Sequence, residues 1–211
     1  MPVPDSMIPV ALPMSGPGAV ERAAGVLVSH GLVVAPTETR YGLLVRADDD
    51  TAVARLFEVK GRIASNPTAF FVGGLDEMSR YGRLTPAARK LAEHFLPGPL
   101  TLVLEAIVPW GPPRVVNGRI GFRWSSSPFI QHLVTQVGAP LTATSANRSG
   151  QPDLERIEEI QAILGEAVDL YIDGGRLAGP ASTVIECVGD NVRILREGAI
   201  SAQQIEASLG Q

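Results

Sequence analysis

Leu32-Val-Val-Ala-Pro-Thr-Glu-Thr-Arg-Tyr-Gly-Leu-Leu-Val45 decides how the rest of the chain is read. Its first residues form an apolar run rich in β-branched side chains, the pattern of a buried strand. Pro36 stops that run because proline cannot donate to a central sheet ladder. Thr37, Glu38, Thr39 and Arg40 then make a polar turn, and Gly42 reopens an apolar run through Leu43 to Val45. In open α/β sheets small ligands bind in the crevice beyond the carboxyl ends of strands. The turn is therefore expected to be a wall of a site.

Outward from this stretch, helices and strands alternate. Ala19 to Ser29 carries apolar residues on one helical face and is followed by Gly31, and Asp48-Asp49-Asp50 offers N-caps for a helix from Thr51 to about Val59. Asn66-Pro67 closes a loop before a strand at Ala69 to Val72, and Thr85-Pro86 opens a helix that Pro97-Gly98-Pro99 stops. Strands are expected at Thr101 to Leu104, Ile120 to Trp124, Pro140 to Ala143 and Leu170 to Ile172. Helices are expected at Phe129 to Val137 and from Asp153, as cap, to Leu164. Thr183 to Val188 and Val192 to Leu195 flank Gly189-Asp190-Asn191, a hairpin signal, and Ser201 caps a last short helix. The pattern is α/β with a mixed sheet, because the terminal hairpin is antiparallel. It reads as one domain over 18–211 behind a loose tail at 1–17.

With 45% hydrophobic and 19% charged residues the chain has the composition of a globular protein, and its net charge of −4 argues against bulk binding of nucleic acid. A small anionic ligand in a local basic pocket fits better. Cys187 is the single cysteine, which excludes an intramolecular disulfide and any multi-cysteine metal site. Pro2, Pro4, Pro9 and Pro13, with no basic leader, argue against a signal peptide, and no apolar run approaches membrane-spanning length. The expectation is a soluble cytoplasmic protein.

Lys60 and Arg62 flank Gly61 just past a helix end, where one point charge and one planar fork suit a polyphosphate; helix C-terminal carbonyls would attract the same cations. Thr144-Ser-Ala-Asn-Arg-Ser-Gly150, dense in donors at a strand end, reads as an anion-binding nest or as an ordinary turn. Arg123 interrupts an apolar strand and needs a partner: a carboxylate ligand, Glu105 or another acidic residue. Arg196 follows the strand Val192 to Leu195 and suits a phosphate, and either arginine reads equally as a solvated surface residue. No GxxxxGK[ST] string, dinucleotide fingerprint or GxSxG elbow occurs, and His30, His94 and His132 lack metal-ligand spacing. No covalent nucleophile with an adjacent base is visible.

Taken together and in order, Pro36-Thr-Glu-Thr-Arg-Tyr-Gly-Leu43, Lys60-Gly-Arg62, Pro97-Gly-Pro99 with Thr101, Gly121-Phe-Arg123, Thr144 to Gly150, Ser182-Thr-Val184 and Arg196-Glu-Gly198 resemble the Sua5/YciO/YrdC family, the threonylcarbamoyl-AMP synthases. The resemblance spans about Val20 to Ile200. It implies a twisted open sheet flanked by helices around a large, positive cavity. It also implies a nucleotidyltransferase that converts L-threonine, bicarbonate and ATP to threonylcarbamoyl-AMP and pyrophosphate, toward the t6A modification of tRNA. By position, Lys60 and Arg62 would neutralise ATP phosphates as the catalytic pair, with Ser145, Asn147 and Arg196 also on the nucleotide. Thr37, Arg123 and Ser182 would hold threonine, Arg123 pairing with its carboxylate. Mg²⁺ would arrive with ATP rather than on a protein metal site. The tRNA would be met indirectly or weakly through the local basic cavity, and transferase proteins of the t6A pathway are the implied partners.

Three positions depart from the family pattern. Ile63 stands where proline usually follows the Lys-x-Arg, Phe71 near the usual histidine, and Trp124 where proline usually follows the arginine of Gly-Phe-Arg123. A second reading is therefore a paralogue that binds nucleotide or RNA without making the adenylate. The glycine-rich stretch Gly174 to Pro180 is the candidate lid over the ligand.

Overall fold

The Leu32 to Val45 stretch folds into a hairpin in the computed structural model, which describes residues 8–61, 63 and 67–210. Strands β2 (Val33–Pro36) and β3 (Tyr41–Leu44) pair antiparallel with Val33 opposite Leu44 and Pro36 opposite Tyr41. Pro36 occupies the last position of β2, where its missing N–H interrupts no longer ladder. The polar turn closes on itself: the Thr37 hydroxyl donates to the Arg40 carbonyl at 2.7 Å and accepts from the Thr39 amide at 3.1 Å. Alternation then assigns faces. Val33, Ala35 and Leu44 pack beneath α1 (Ala19–Val28) and α5 (Pro128–Val137), whereas Val34 and Leu43 pack beneath α2 (Asp50–Lys60) and α6 (Ile157–Leu164).

Among the described residues eleven strands make one mixed sheet in the order β1-β9-β2-β3-β8-β4-β7-β6-β10-β11, with β5 attached to β6. The remaining strands are β1 (Leu12–Pro13), β4 (Ala69–Phe71), β5 (Gly82–Arg83), β6 (Leu100–Ala106), β7 (Arg119–Arg123), β8 (Leu141–Ser145), β9 (Leu170–Asp173), β10 (Thr183–Val188) and β11 (Asn191–Arg196). β4 joins the two halves, antiparallel to β8 and parallel to β7. In the second half, α3 (Leu75–Tyr81), α4 (Pro86–Phe95) and α7 (Ala202–Gly210) cover one face. Met78, Leu91, Ala92 and Ile205 there meet Leu100, Leu102, Leu104, Ile120, Phe122, Ile185 and Cys187. The other face of these strands carries no helix among the described residues, and it forms the floor of the site.

Two expectations change, and three elements were not expected. Residues within the tail at 1–17 join the sheet, since Leu12–Pro13 pair in parallel with Ile172 and Asp173 and Gln161 donates to the Pro9 carbonyl. The helix expected from Asp153 begins at Ile157, because the Asp153 carboxylate faces the Asn147 amide and Arg40 instead. Glu159 there accepts from the Glu155 and Arg156 amides and takes the capping role. Helix α3 and the two-residue strands β1 and β5 carried no sequence signal long enough to read.

Candidate active site

Period-two alternation builds the cavity floor. While the even-numbered residues of β6 and β7 enter the core, Thr101 and Val103 of β6, Arg119, Gly121 and Arg123 of β7, and Val184 and Glu186 of β10 point the other way and line a cavity of about 730 Å³. Its walls are Thr37 and Thr39 to Gly42 of the turn, Pro67 to Ala69, Phe71, the end of β8 from Ala143 to Ser145, and Ala181 with Ser182. Gly121 keeps the floor flat, since a Cβ there would come within 3.1 Å of the Ala69 Cβ on the neighbouring strand.

Arg123 sits at the inner end, 7% exposed. Its Nη2 donates to Thr39 Oγ1 at 2.7 Å and pairs with Glu38 Oε1 at 3.0 Å, and its guanidinium lies 5.5 Å from the centre of the Phe71 ring. The partner the sequence named, Glu105, is paired with Arg83 and stands opposite Arg119 on β7, so Glu38 takes that place. Arg123 Nε is buried with no hydrogen-bond partner. Burial pulls the guanidinium pKa down from its ordinary value and the Glu38 charge opposes that pull. Arg123 lines the cavity, and a buried cation on a cavity wall is a receptor for an anionic oxygen.

Ser182 shares a 3.0 Å hydrogen bond with Thr101 across the floor, and Arg196 donates to the Ser182 carbonyl at 2.8 Å and its hydroxyl at 3.1 Å. Thr37, Arg123, Ser182 and Arg196 thus line one cavity together with Ser145. Lys60 does not line it. The last residue of α2 and 2% exposed, it directs its ammonium to the Ser145 carbonyl at 2.5 Å, the Asn147 carbonyl at 3.0 Å and Asn147 Oδ1 at 3.1 Å. Gly61 ends the helix with φ 60°, a left-handed cap that suits glycine. Asn147 lies behind the wall, bonded to Ser145 Oγ at 2.8 Å and to the Gln151 carbonyl at 2.7 Å. Arg62 lies outside the described residues.

The departing positions separate. Phe71 lines the cavity, whereas Trp124 lies on the helical side against the hollow beside Gly73 and Asp76, and the Ile63 side chain is 67% exposed. Only Phe71 therefore bears on a ligand in the cavity. The Gly174 to Pro180 stretch is tied down: the Tyr41 hydroxyl donates to the Gly175 carbonyl at 2.7 Å, and Arg40 donates to the Leu177 carbonyl at 3.3 Å.

The turn expected as a wall does line the cavity through Thr37, Thr39 and Arg40, whereas sequence reasoning missed the outer end, where Arg119 and Arg193 flank Glu186 at 3.5 and 3.2 Å. Arg119 falls four residues from Arg123 and Glu186 four from Ser182, so the strand period carried their signal, whereas Arg193, three residues from Arg196, had none. Among the described residues no group of three or more His, Cys, Asp and Glu is placed to hold a metal ion, and no helix is long and apolar enough to cross a membrane.

The chain is 34% identical over 195 residues to the threonylcarbamoyl-AMP synthase of Bacillus subtilis, a match covering 90% of this chain and 56% of that protein. The P. abyssi Sua5 crystal structure complexed with L-threonine superposes with a TM-score of 0.83 at 34% identity, covering 90% of this chain and 57% of that one. E. coli YciO superposes with a TM-score of 0.80 at 27% identity, over 88% and 92% of the two chains. This chain thus spans little more than half the length of the first two. The family model described as "Telomere recombination" matches residues 25–198, and the chain belongs to the Sua5/YciO/YrdC family.

Proposed function

We propose that this chain is an L-threonylcarbamoyladenylate synthase, a nucleotidyltransferase that makes threonylcarbamoyl-AMP and pyrophosphate from L-threonine, bicarbonate and ATP. The observation that carries the reading is Arg123, a buried guanidinium on the wall of a hydroxyl-lined cavity. A free amino acid supplies a carboxylate for this guanidinium, and Thr37 and Ser182 supply short polar contacts of the kind a small hydroxylated side chain takes. The P. abyssi relative holding L-threonine supports that choice.

In this reading the threonine amine takes up bicarbonate with loss of water, and a carbamate oxygen attacks the α-phosphorus of ATP. The bond to the β-phosphate breaks, and pyrophosphate leaves with its Mg²⁺. Such a reaction needs positioning and charge neutralisation rather than an enzyme nucleophile. Arg196 and Ser145 line the same cavity, Arg196 as the donor to the nucleotide and Ser145 as an acceptor, its own hydroxyl proton given to Asn147. Lys60 serves by fixing the Ser145 to Asn147 wall, and Arg62 is assigned to the phosphates from the family resemblance. Delivery of the adenylate to a transferase acting on tRNA, in the cytoplasm, completes the proposal.

The test is mass-spectrometric detection of threonylcarbamoyl-AMP after incubation with ATP, bicarbonate and L-threonine. Formation that requires all three supports the reading. Binding of ATP with no adduct at any threonine concentration refutes it and leaves a nucleotide-binding paralogue. The Lys60 ammonium, engaged on protein oxygens, is the observation that favours that second reading.

A further inference from the structure

We propose that Glu38 is the positioning residue of the amino-acid end of the cavity, fixing the plane of the Arg123 guanidinium from behind without touching a ligand. The inference rests on the reading that Arg123 receives the threonine carboxylate. Thr37, Thr39 and Arg40 line the cavity and Glu38, between them, does not. Its side chain is 15% exposed and turns instead to three donors. Oε1 accepts from Arg123 Nη2 at 3.0 Å and from the Ser126 amide at 3.2 Å, and Oε2 accepts from the Ser125 hydroxyl. The turn after β2 is thereby fastened to the end of β7 and to the segment that enters α5.

Arg123 is held in return at three points: Glu38 and Thr39 on Nη2, and the Phe71 ring beside the guanidinium. Those contacts fix a planar group about its long side chain and commit Nη2, while no hydrogen bond among the described residues engages Nη1. The pair also sets how a ligand is chosen. Glu38 already balances the Arg123 charge, so an anion gains little from net charge and must match the direction in which the guanidinium is held. A buried ion pair is by itself weak evidence for stability, which leaves orientation as the consequence that matters here.

The test uses Glu38→Ala and Glu38→Gln, with pyrophosphate release measured while threonine and ATP are varied separately. Glutamine keeps Oε1 for Arg123 and Ser126, and its amide donates to Ser125. Glu38→Ala is expected to raise the threonine KM about tenfold or more with the ATP KM within about threefold, and Glu38→Gln to return the threonine KM to within about threefold of the parent. The Arg123 Nε–H resonance, assigned by its loss in Arg123→Lys, is expected to be resolved in the parent and in Glu38→Gln and to exchange out in Glu38→Ala. A persistent Nε–H with an unchanged threonine KM in Glu38→Ala overturns the inference, as does a parallel rise in both KM values. Turnover lost in Glu38→Gln with the resonance intact overturns it too, because the carboxylate would then be acting chemically. If Glu38→Ala does not fold, Glu38→Asp replaces it with the same readouts. If the parent protein shows no threonine-dependent release, the functional reading fails, and the resonance alone decides the positioning role.

Discussion

The two halves of the sheet are built from the same kind of strand and end in opposite uses. Around β2, β3 and β9 both faces are covered, by α1 and α5 on one side and α2 and α6 on the other, and each strand residue from Val33 to Ala35 is fully buried. Around β6, β7 and β10 helices cover one face, and the exposed alternation brings threonine, glycine and arginine to the cavity. A strand residue in the first half answers to packing. In the second half its parity decides whether it serves the core or the ligand, so polar residues there should affect binding more than folding.

The largest effect is expected in the closed half. Leu56→Ala empties a fully buried position on α2 and should cost about 2–5 kcal/mol of stability in denaturant titration, with the threonine KM of the folded fraction unchanged. An equally large change in that KM would break the division between halves. Next, Arg123→Ala on the open face should lower threonine kcat/KM by about 100-fold or more, since removing one partner of a buried charge pair costs several kcal/mol. Lys60→Met leaves the Ser145 and Asn147 oxygens without their donor and should cost about 1–3 kcal/mol, with a raised ATP KM in steady-state kinetics.

Alkaline pH sharpens the comparison differently. Burial pushes the Tyr171 phenol, in the closed half, and the Cys187 thiol, in the core of the open half, up to about 12. Both groups ionise first in the unfolded chain, so stability holds below about pH 9 and falls as pH rises toward about 12. Tyr171→Phe loses the 2.6 Å hydrogen bond to the Gly165 carbonyl and should melt lower at neutral pH, but its melting temperature should fall less than the parent's between neutral pH and pH above about 10. The smallest effect belongs to the rim: Arg193, 68% exposed beside Glu186, should change stability by less than about 0.5 kcal/mol when replaced by alanine.

The sequence shows most of this fold because its signals are local. The Thr85-Pro86 start, the Gly189-Asp190-Asn191 turn and the 3.6-residue spacing of α5 fall where helix and hairpin form. The Asp153 cap misled because Asn147 and Arg40, remote from any helix signal, hold that carboxylate. The site was legible as residue types and not as partners. Arg123 announced itself by charge in an apolar strand, but Glu38 lies 85 residues earlier in sequence, and only the fold brings β2 and β7 to one end of a cavity. Lys60 reads as a phosphate ligand from Lys60-Gly-Arg62, and the structure turns its ammonium into the neighbouring wall.

The central claim is that the buried Arg123 receives the carboxylate of a small hydroxylated amino acid. Calorimetric titration with L-threonine and with L-threoninol, which replaces the carboxylate by a hydroxymethyl group, tests it most directly. The account predicts saturable binding of threonine and none of threoninol, with threonine binding lost in Arg123→Ala. Equal binding of the two compounds, or threonine binding that survives in Arg123→Ala, would contradict it.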